Sequence, residues 1–356
     1  MATDKQRLQW LDALRGFTMI MVVANHVAQQ TFGQDFKLSA SLPFLSLFRM
    51  PLFFFISGFL AYKAGLVWNA RVLRDLSLKK LRVQLVPTVV FFTLFVVLIK
   101  PNFCQAVLEG LYSPTKNGYW FTLVLLYMLL IYYVFCYIES KLRLPSWLPI
   151  TILLAVSLCC YETCYLPRIF SWAQGHKGPS NDFMCYSSCV ELFRNFPFFL
   201  YGNIVHRYWK QAQRIMDSRW FFPLLIVVVI LSTVDVQKWH TLRMEWTVLP
   251  MTTAKLCLLT IVFMYFRHYQ DYVSQQTYIG RSLQYIGRRT LDIYVLHFFF
   301  LPNLPEIGTF FNGHRHNFVI DTTMSVVVSL IIIGFCIITS NILRISPLFK
   351  KYLFGR

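Results

Sequence analysis

Residues Tyr119–Ile138 read YWFTLVLLYMLLIYYVFCYI, a run with no charged side chain. As a helix, about twenty residues rise roughly 30 Å, the thickness of a bilayer's hydrocarbon core. Leu85–Ile99, Phe221–Val234 and Phe318–Ile338 are nearly as poor in charge. The whole chain agrees. Of its 356 residues, 56% are hydrophobic and 14% charged, with a mean hydropathy of +0.50, whereas ordinary globular domains are about a quarter charged. One water-surrounded core does not absorb that much apolar surface. The reading is an all-α polytopic membrane protein, a single integral domain over residues 1–356 with no appended soluble domain. The opening MATDKQRLQW lacks the basic start, apolar centre and small-residue exit of a cleaved signal, so the first helix is expected to stay in the mature chain.

Ten helices are expected, near residues 13–32, 43–62, 84–99, 119–138, 147–161, 190–207, 220–234, 248–266, 290–304 and 318–342. An even number puts both termini on one side. The loops of that side hold most of the cations, among them Arg71, Arg74, Lys79, Lys80 and Arg82 in one loop and Arg281, Arg288 and Arg289 in another. The opposite loops hold Lys37, Lys100, Lys116, Arg168, Lys177, Lys238, Arg243 and Arg315. By the positive-inside rule both termini are expected in the cytoplasm. The net charge of +18, from 34 Lys and Arg against 16 Asp and Glu, would suggest nucleic acid in a soluble protein. Topology and anionic membrane lipids account for it here, so nucleic acid is not an expected partner.

Arg15, Arg49, Arg194 and Lys255 fall inside the expected spans, and Asp12, at the edge of the first, His26, Asp292 and His297 join them. Charge in hydrocarbon is expensive, so such groups are functional candidates. The first helix carries the densest set, Leu11-Asp12-Ala13-Leu14-Arg15-Gly16 followed by Asn25-His26. The spacing of Arg15 and His26 is about three helical turns, which puts both on one face and His26 roughly 16 Å deeper. Asp12, three residues before Arg15, can pair with it. A guanidinium suits a phosphate and a neutral imidazole can take a proton from a hydroxyl. The plainer alternative is that Arg15 snorkels to the interface and His26 packs.

These motifs resemble the acyltransferase-3 family of integral membrane O-acyltransferases. The likeness rests on Leu14-Arg15-Gly16, the spacing of Arg15 and His26, Phe53-Phe54-Phe55-Ile56-Ser57-Gly58-Phe59, the basic run ending at Arg82 and Pro87, Trp120-Phe121, and the segment from Gly287 through Asp292 and Tyr294 to His297. It implies transfer of an acyl group, commonly acetyl, from cytoplasmic acetyl-CoA or another acyl-CoA to a hydroxyl of an envelope sugar or lipid-linked glycan. It also implies a catalytic centre containing Arg15 and His26, with His26 as base, in a plasma membrane, for a bacterium the inner one. Arg49 stands where many sugar-acetylating relatives carry a histidine before Met-Pro-Leu-Phe-Phe, and Asp292 replaces a small residue.

Other candidates carry two readings each. Arg49 should face a cavity, near a thioester oxyanion or an acidic acceptor. Ser57 and Gly58 allow close approach of an acyl-pantetheine arm or simply of another helix. Lys80 and Arg82 would hold coenzyme A phosphates or serve topology alone. Tyr294 and His297 share a face, supporting the site or the fold. Glu191, Arg194 and Asn195 would form an ion pair or greet the acceptor. Trp120 would stack on a sugar or sit in an interfacial aromatic belt. Cys159, Cys160, Cys164, Cys185 and Cys189 crowd one region and make one disulfide plausible. His314-Arg315-His316 is too little for zinc, so no metal is expected. The rival classes are a secondary transporter or lipid flippase and a non-catalytic receptor or scaffold; no inverted repeat supports the first of these.

Overall fold

The computed structural model describes residues 8–34, 39, 41–164, 179–238, 248–313 and 318–354. Lys37, Arg168, Lys177, Arg243 and the His314-Arg315-His316 run lie outside them. Every regular element among the described residues is helical. In chain order these are α1 (Gln9–His26), α2 (Ser41–Ala61), α3 (Ala70–Lys80), α4 (Val86–Ile99), α5 (Phe103–Tyr112), α6 (Trp120–Glu139), α7 (Trp147–Thr163), α8 (Pro179–Ser187) and α9 (Cys189–Arg207). There follow α10 (Trp209–Met216), α11 (Phe221–Lys238), α12 (Val248–His268), α13 (Tyr278–Arg288), α14 (Thr290–Leu296), α15 (Pro305–Gly313), α16 (Phe318–Leu343) and α17 (Pro347–Phe354).

Four described helical stretches, or up to five if a bent pair is one span, are long and apolar enough to cross a membrane: α2, Ala70–Ile99, α6 and α16. The pattern within α16 shows why. Asp321, Ser325, Ser329 and Ser340 are buried, while Val327, Leu330, Ile331, Phe335 and Ile338 are exposed. A helix that turns small polar residues inward and large apolar ones outward is built for a lipid surround.

Three expectations need correction. The basic segment before the third span is helix rather than loop, since α3 continues through a π-turn at Leu81–Leu85 into α4. The cations Arg281 and Arg288 likewise sit on a helix, α13, capped by Thr277, whose Oγ1 accepts from the Gly280 amide at 2.9 Å. The ninth helix stops well before residue 304: α14 tightens into a 3₁₀ turn at His297–Phe299. Pro302 and Pro305 lack the amide hydrogens to continue it, and the Leu304 amide donates to the Thr31 carbonyl instead, at 2.9 Å.

The chain divides into two compact units. One comprises residues 1–53, 219–229 and 254–342, and the boundary falls inside α2. In it α1 lies against α13 with no room for side chains at the crossing. A methyl group on Gly16 would stand 2.0 Å from the Leu283 carbonyl oxygen, and one on Gly287 1.8 Å from that of Asp12. Trp10 meets Phe263 edge-on at 5.1 Å and Phe17 meets Phe266 at 5.3 Å, which seats α1 on α12.

The other unit comprises residues 54–218, 230–253 and 343–356. Here α2 and α9 cross at two glycines. A methyl on Gly58 would stand 1.8 Å from the Phe199 carbonyl oxygen and one on Gly202 1.9 Å from that of Phe55. Asn203 Nδ2 donates to the Gly58 carbonyl at 3.3 Å, and the His206 ring stacks on Phe59 at 4.2 Å. Between α5 and α6, Lys116 is buried and its ammonium donates to the carbonyls of Leu111, Ser113 and Cys185 at 2.6, 2.9 and 2.6 Å. Burial pushes its amine down from 10.5 to about 8. All nine cysteines are free thiols, so no disulfide forms in the region of Cys159 to Cys189.

Candidate active site

The first helix delivers two side chains to one partner. Arg15 donates through Nη2 to Thr290 Oγ1 at 2.9 Å, at the start of α14. At the end of the same segment, the His26 and His297 rings lie 5.2 Å apart by their centroids. Eleven residues along α1 and seven along the α14 segment thus run side by side in the same direction. The shared face expected of Arg15 and His26 is therefore real, and what it faces is Thr290–Phe299.

At the Arg15 end the charges form a compact set. Asp12 is buried; its Oδ2 stands 3.4 Å from Arg288 Nε and its Oδ1 4.0 Å from an Arg15 Nη1. The expected pairing of Asp12 with Arg15 exists, and Arg288 is the nearer partner. Deeper in α14, Asp292 accepts from Ser340 Oγ at 2.7 Å and from Arg289 at 3.3 Å. The Asp292 carboxylate is thus held by α16 and by Arg289 just ahead of its own helix.

At the His26 end the surroundings are aromatic. Phe298 meets the His26 ring edge-on at 5.1 Å and lies 3.9 Å from the His297 ring. His297 is fully buried. Its Nδ1 lies 2.8 Å from the Tyr294 carbonyl and 3.2 Å from that of Ile293. A carbonyl only accepts, so Nδ1 carries the hydrogen and Nε2 the lone pair. That Nε2 and His26 Nδ1 are both buried without a protein hydrogen-bond partner. His26 as a residue is less completely buried than His297. Arg49, from α2, lies within electrostatic reach of His26. The arrangement combines a cation, a base-capable ring and an apolar seal, which suits proton removal beside a developing negative charge.

Against this geometry the family comparison is decisive: the acyltransferase domain of the acyltransferase-3 type matches residues 8–341. The chain belongs to the acyltransferase-3 family. With its apolar helices it is a membrane acyltransferase. No curated protein and no solved structure matches the chain.

The remaining candidates of this acyltransferase lie in the other unit. Ser57 and Gly58 sit on α2, where the space beside Gly58 is filled by the Phe199 backbone, so that glycine serves helix packing. Lys80 ends α3, and Arg82 lies exposed in the π-turn. Trp120 opens α6 and packs near Phe54, 6.1 Å between rings. Glu191 and Arg194 form an ion pair at 3.3 Å, and Asn195 Nδ2 donates to the Glu191 carbonyl at 2.8 Å. Those three thus form one local network on α9. A cavity of about 290 Å³ adjoins the C-terminal ends of α2, α6 and α9, among Lys63, Trp68, Glu139 and Arg207. Arg207 and Glu139 form an ion pair there. Helix C-termini carry negative dipole ends, so this is no ready-made phosphate site.

Sequence reasoning missed Thr290, Phe298 and the role of Arg288. Thr290 is 275 residues from Arg15, and no periodicity connects them. Arg288 reads as a topogenic loop charge until its helix is seen against Asp12.

Proposed function

We propose that this acyltransferase moves an acyl group, acetyl in the simplest case, from acyl-CoA on the cytoplasmic side to a hydroxyl of an envelope sugar or lipid-linked glycan. His26 is the general base and Arg15 the anchor for the donor. The reading is carried by the alignment of Arg15 and His26 along one short segment, Thr290–Phe299. Ten spans with cytoplasmic termini, in a plasma membrane, are the topology that the distribution of Lys and Arg supports.

The acceptor O–H gives its proton to an imidazole nitrogen of His26 as the oxygen attacks the thioester carbon. The C–S bond breaks, and the imidazolium returns the proton to the departing thiolate, leaving an ester and a free thiol. Arg49 is the cation nearest in effect to His26 and would steady the oxyanion. Proton transfer of this kind contributes roughly 10²–10⁴-fold.

The test uses full-length protein in lipid nanodiscs with labelled acetyl-CoA and a glycan extract. His26→Ala should lose transfer by about 100-fold or more with unchanged thermal unfolding, and near-normal transfer would remove His26 from the chemistry. Mass spectrometry of envelope glycans from cells with and without the protein should reveal the added acyl mass on the acceptor.

A further inference from the structure

His26 and His297 share a problem that each solves for the other. His26 Nδ1 and His297 Nε2 are both buried and lack protein hydrogen-bond partners, although their rings are neighbours at 5.2 Å. Leaving a buried polar atom unsatisfied costs about 1–3 kcal/mol, and two such atoms side by side are exceptional in a folded interior. Their chemistry is complementary. His297 Nδ1 is committed as a donor to the Tyr294 and Ile293 carbonyls, so Nε2 presents a lone pair. An acceptor of that kind requires a donor opposite, and the adjacent ring offers one as an N–H on His26 Nδ1.

Phe298 meets both rings and offers neither acceptor nor donor. Arg49, on α2, acts on His26 electrostatically and carries donors only; an Arg49 N–H is the rival donor to a ring nitrogen here, and the tautomer of His26 decides between the two arrangements. The Tyr294 ring stands 5.9 Å from that of His297, while the backbone carbonyl of Tyr294 holds Nδ1. The His297 bond to its own helix is a product of the break in α14: the helix tightens at His297–Phe299, and the ring folds back on carbonyls three and four residues earlier. The fold thereby sets the tautomer of His297 without any second side chain.

We propose that His297 is a positioning residue: its Nε2 accepts the Nδ1–H of His26, directly or through one water, and so leaves His26 Nε2 as the free base. The role is that of an orienting partner behind a catalytic imidazole, played here by a neutral ring instead of a carboxylate. A neutral partner suits a bilayer-embedded site, since a carboxylate would carry a desolvation cost that an imidazole avoids. The inference rests on the reading of His26 as base, and the test separates the two.

Three full-length proteins in nanodiscs are compared: wild type, His297→Gln, whose Oε1 can still accept, and His297→Leu, which cannot. Expected kcat falls by about 100-fold in His297→Leu and by less than about tenfold in His297→Gln, with KM for acetyl-CoA within about twofold in both. Nitrogen-15 NMR on histidine-labelled protein, with the His26 signals identified by their loss in His26→Ala, reads the tautomer directly. His26 should be protonated at Nδ1 in wild type and His297→Gln and become mixed in His297→Leu. Equal losses in both variants, or a His26 tautomer unmoved by His297→Leu, would overturn the proposal. If no acyl transfer occurs in wild type, the reading of His26 as base falls, while the NMR result still decides whether the two rings are joined.

Discussion

Arg288 Nε stands 3.4 Å from Asp12 Oδ2, which ties the last turn of α13 to the first turn of α1. The carboxylate is nearly buried, at 8% exposure, while the Arg288 side chain is 37% exposed and Arg15 29%. The pair is therefore partly screened and of modest worth. A double-mutant cycle of Asp12→Asn with Arg288→Gln should return a coupling of about 1 kcal/mol in thermal or denaturant unfolding. Additive effects would show that the two ions do not support each other.

Arg15→Ala should impair use of the donor more than the chemical step. The guanidinium contacts Thr290 and Asp12 at the end of the site away from His26, so its loss removes binding that ground and transition states share. KM for acetyl-CoA should rise about tenfold, the worth of one charge-assisted contact, with a smaller fall in kcat. Unchanged KM in kinetics on purified protein would assign Arg15 to structure alone.

The glycine crossings give the sharpest stability test. Gly287→Ala and Gly58→Ala each push a methyl to 1.8 Å from a backbone oxygen, and neither oxygen can yield without moving a helix. Each should cost about 1–3 kcal/mol or more and lower the melting temperature in detergent. Gly334→Ala, where a methyl meets nothing within 4 Å, should be neutral or slightly stabilising, because alanine favours helix over glycine by roughly 0.5–1 kcal/mol. Equal behaviour of all three would show that the crossings are not close.

Lys116 predicts a pH dependence outside the membrane. Burial lowers its amine to about 8 from 10.5, so between those values the unfolded loop binds more protons than the folded one. Local stability therefore rises with pH across that window and is level below it. Protease nicking within residues 112–119, corrected for enzyme activity on a reference peptide, should slow between about pH 8 and pH 10 in wild type. Lys116→Met should nick faster at every pH, since three carbonyls lose their donor, and show no such slope. A flat wild-type profile would contradict the buried amine.

Much of this was legible in the one-dimensional chain. Charge-free runs such as Tyr119–Ile138 announce lipid, because about twenty such residues match the hydrocarbon thickness of a bilayer, and the spacing of Arg15 and His26 announces a shared face, because helical periodicity is local. The basic run near Arg82 reads as loop since charge repels hydrocarbon, yet an amphipathic helix satisfies the same rule. Pro302 and Pro305 signal the early end of α14, a signal that the apolar residues around them mask.

What no local rule reaches is the partner. That Arg15 meets Thr290, that Asp12 meets Arg288, and that His26 lies beside His297 depend on glycines at positions 16 and 287 letting two backbones touch, which sets the register of α1 on the segment that follows α13. Residue chemistry and spacing determine which groups are costly to bury. Only packing across hundreds of residues decides which of them answer one another, because side-chain contact is set by distance in space and the chain records distance along itself.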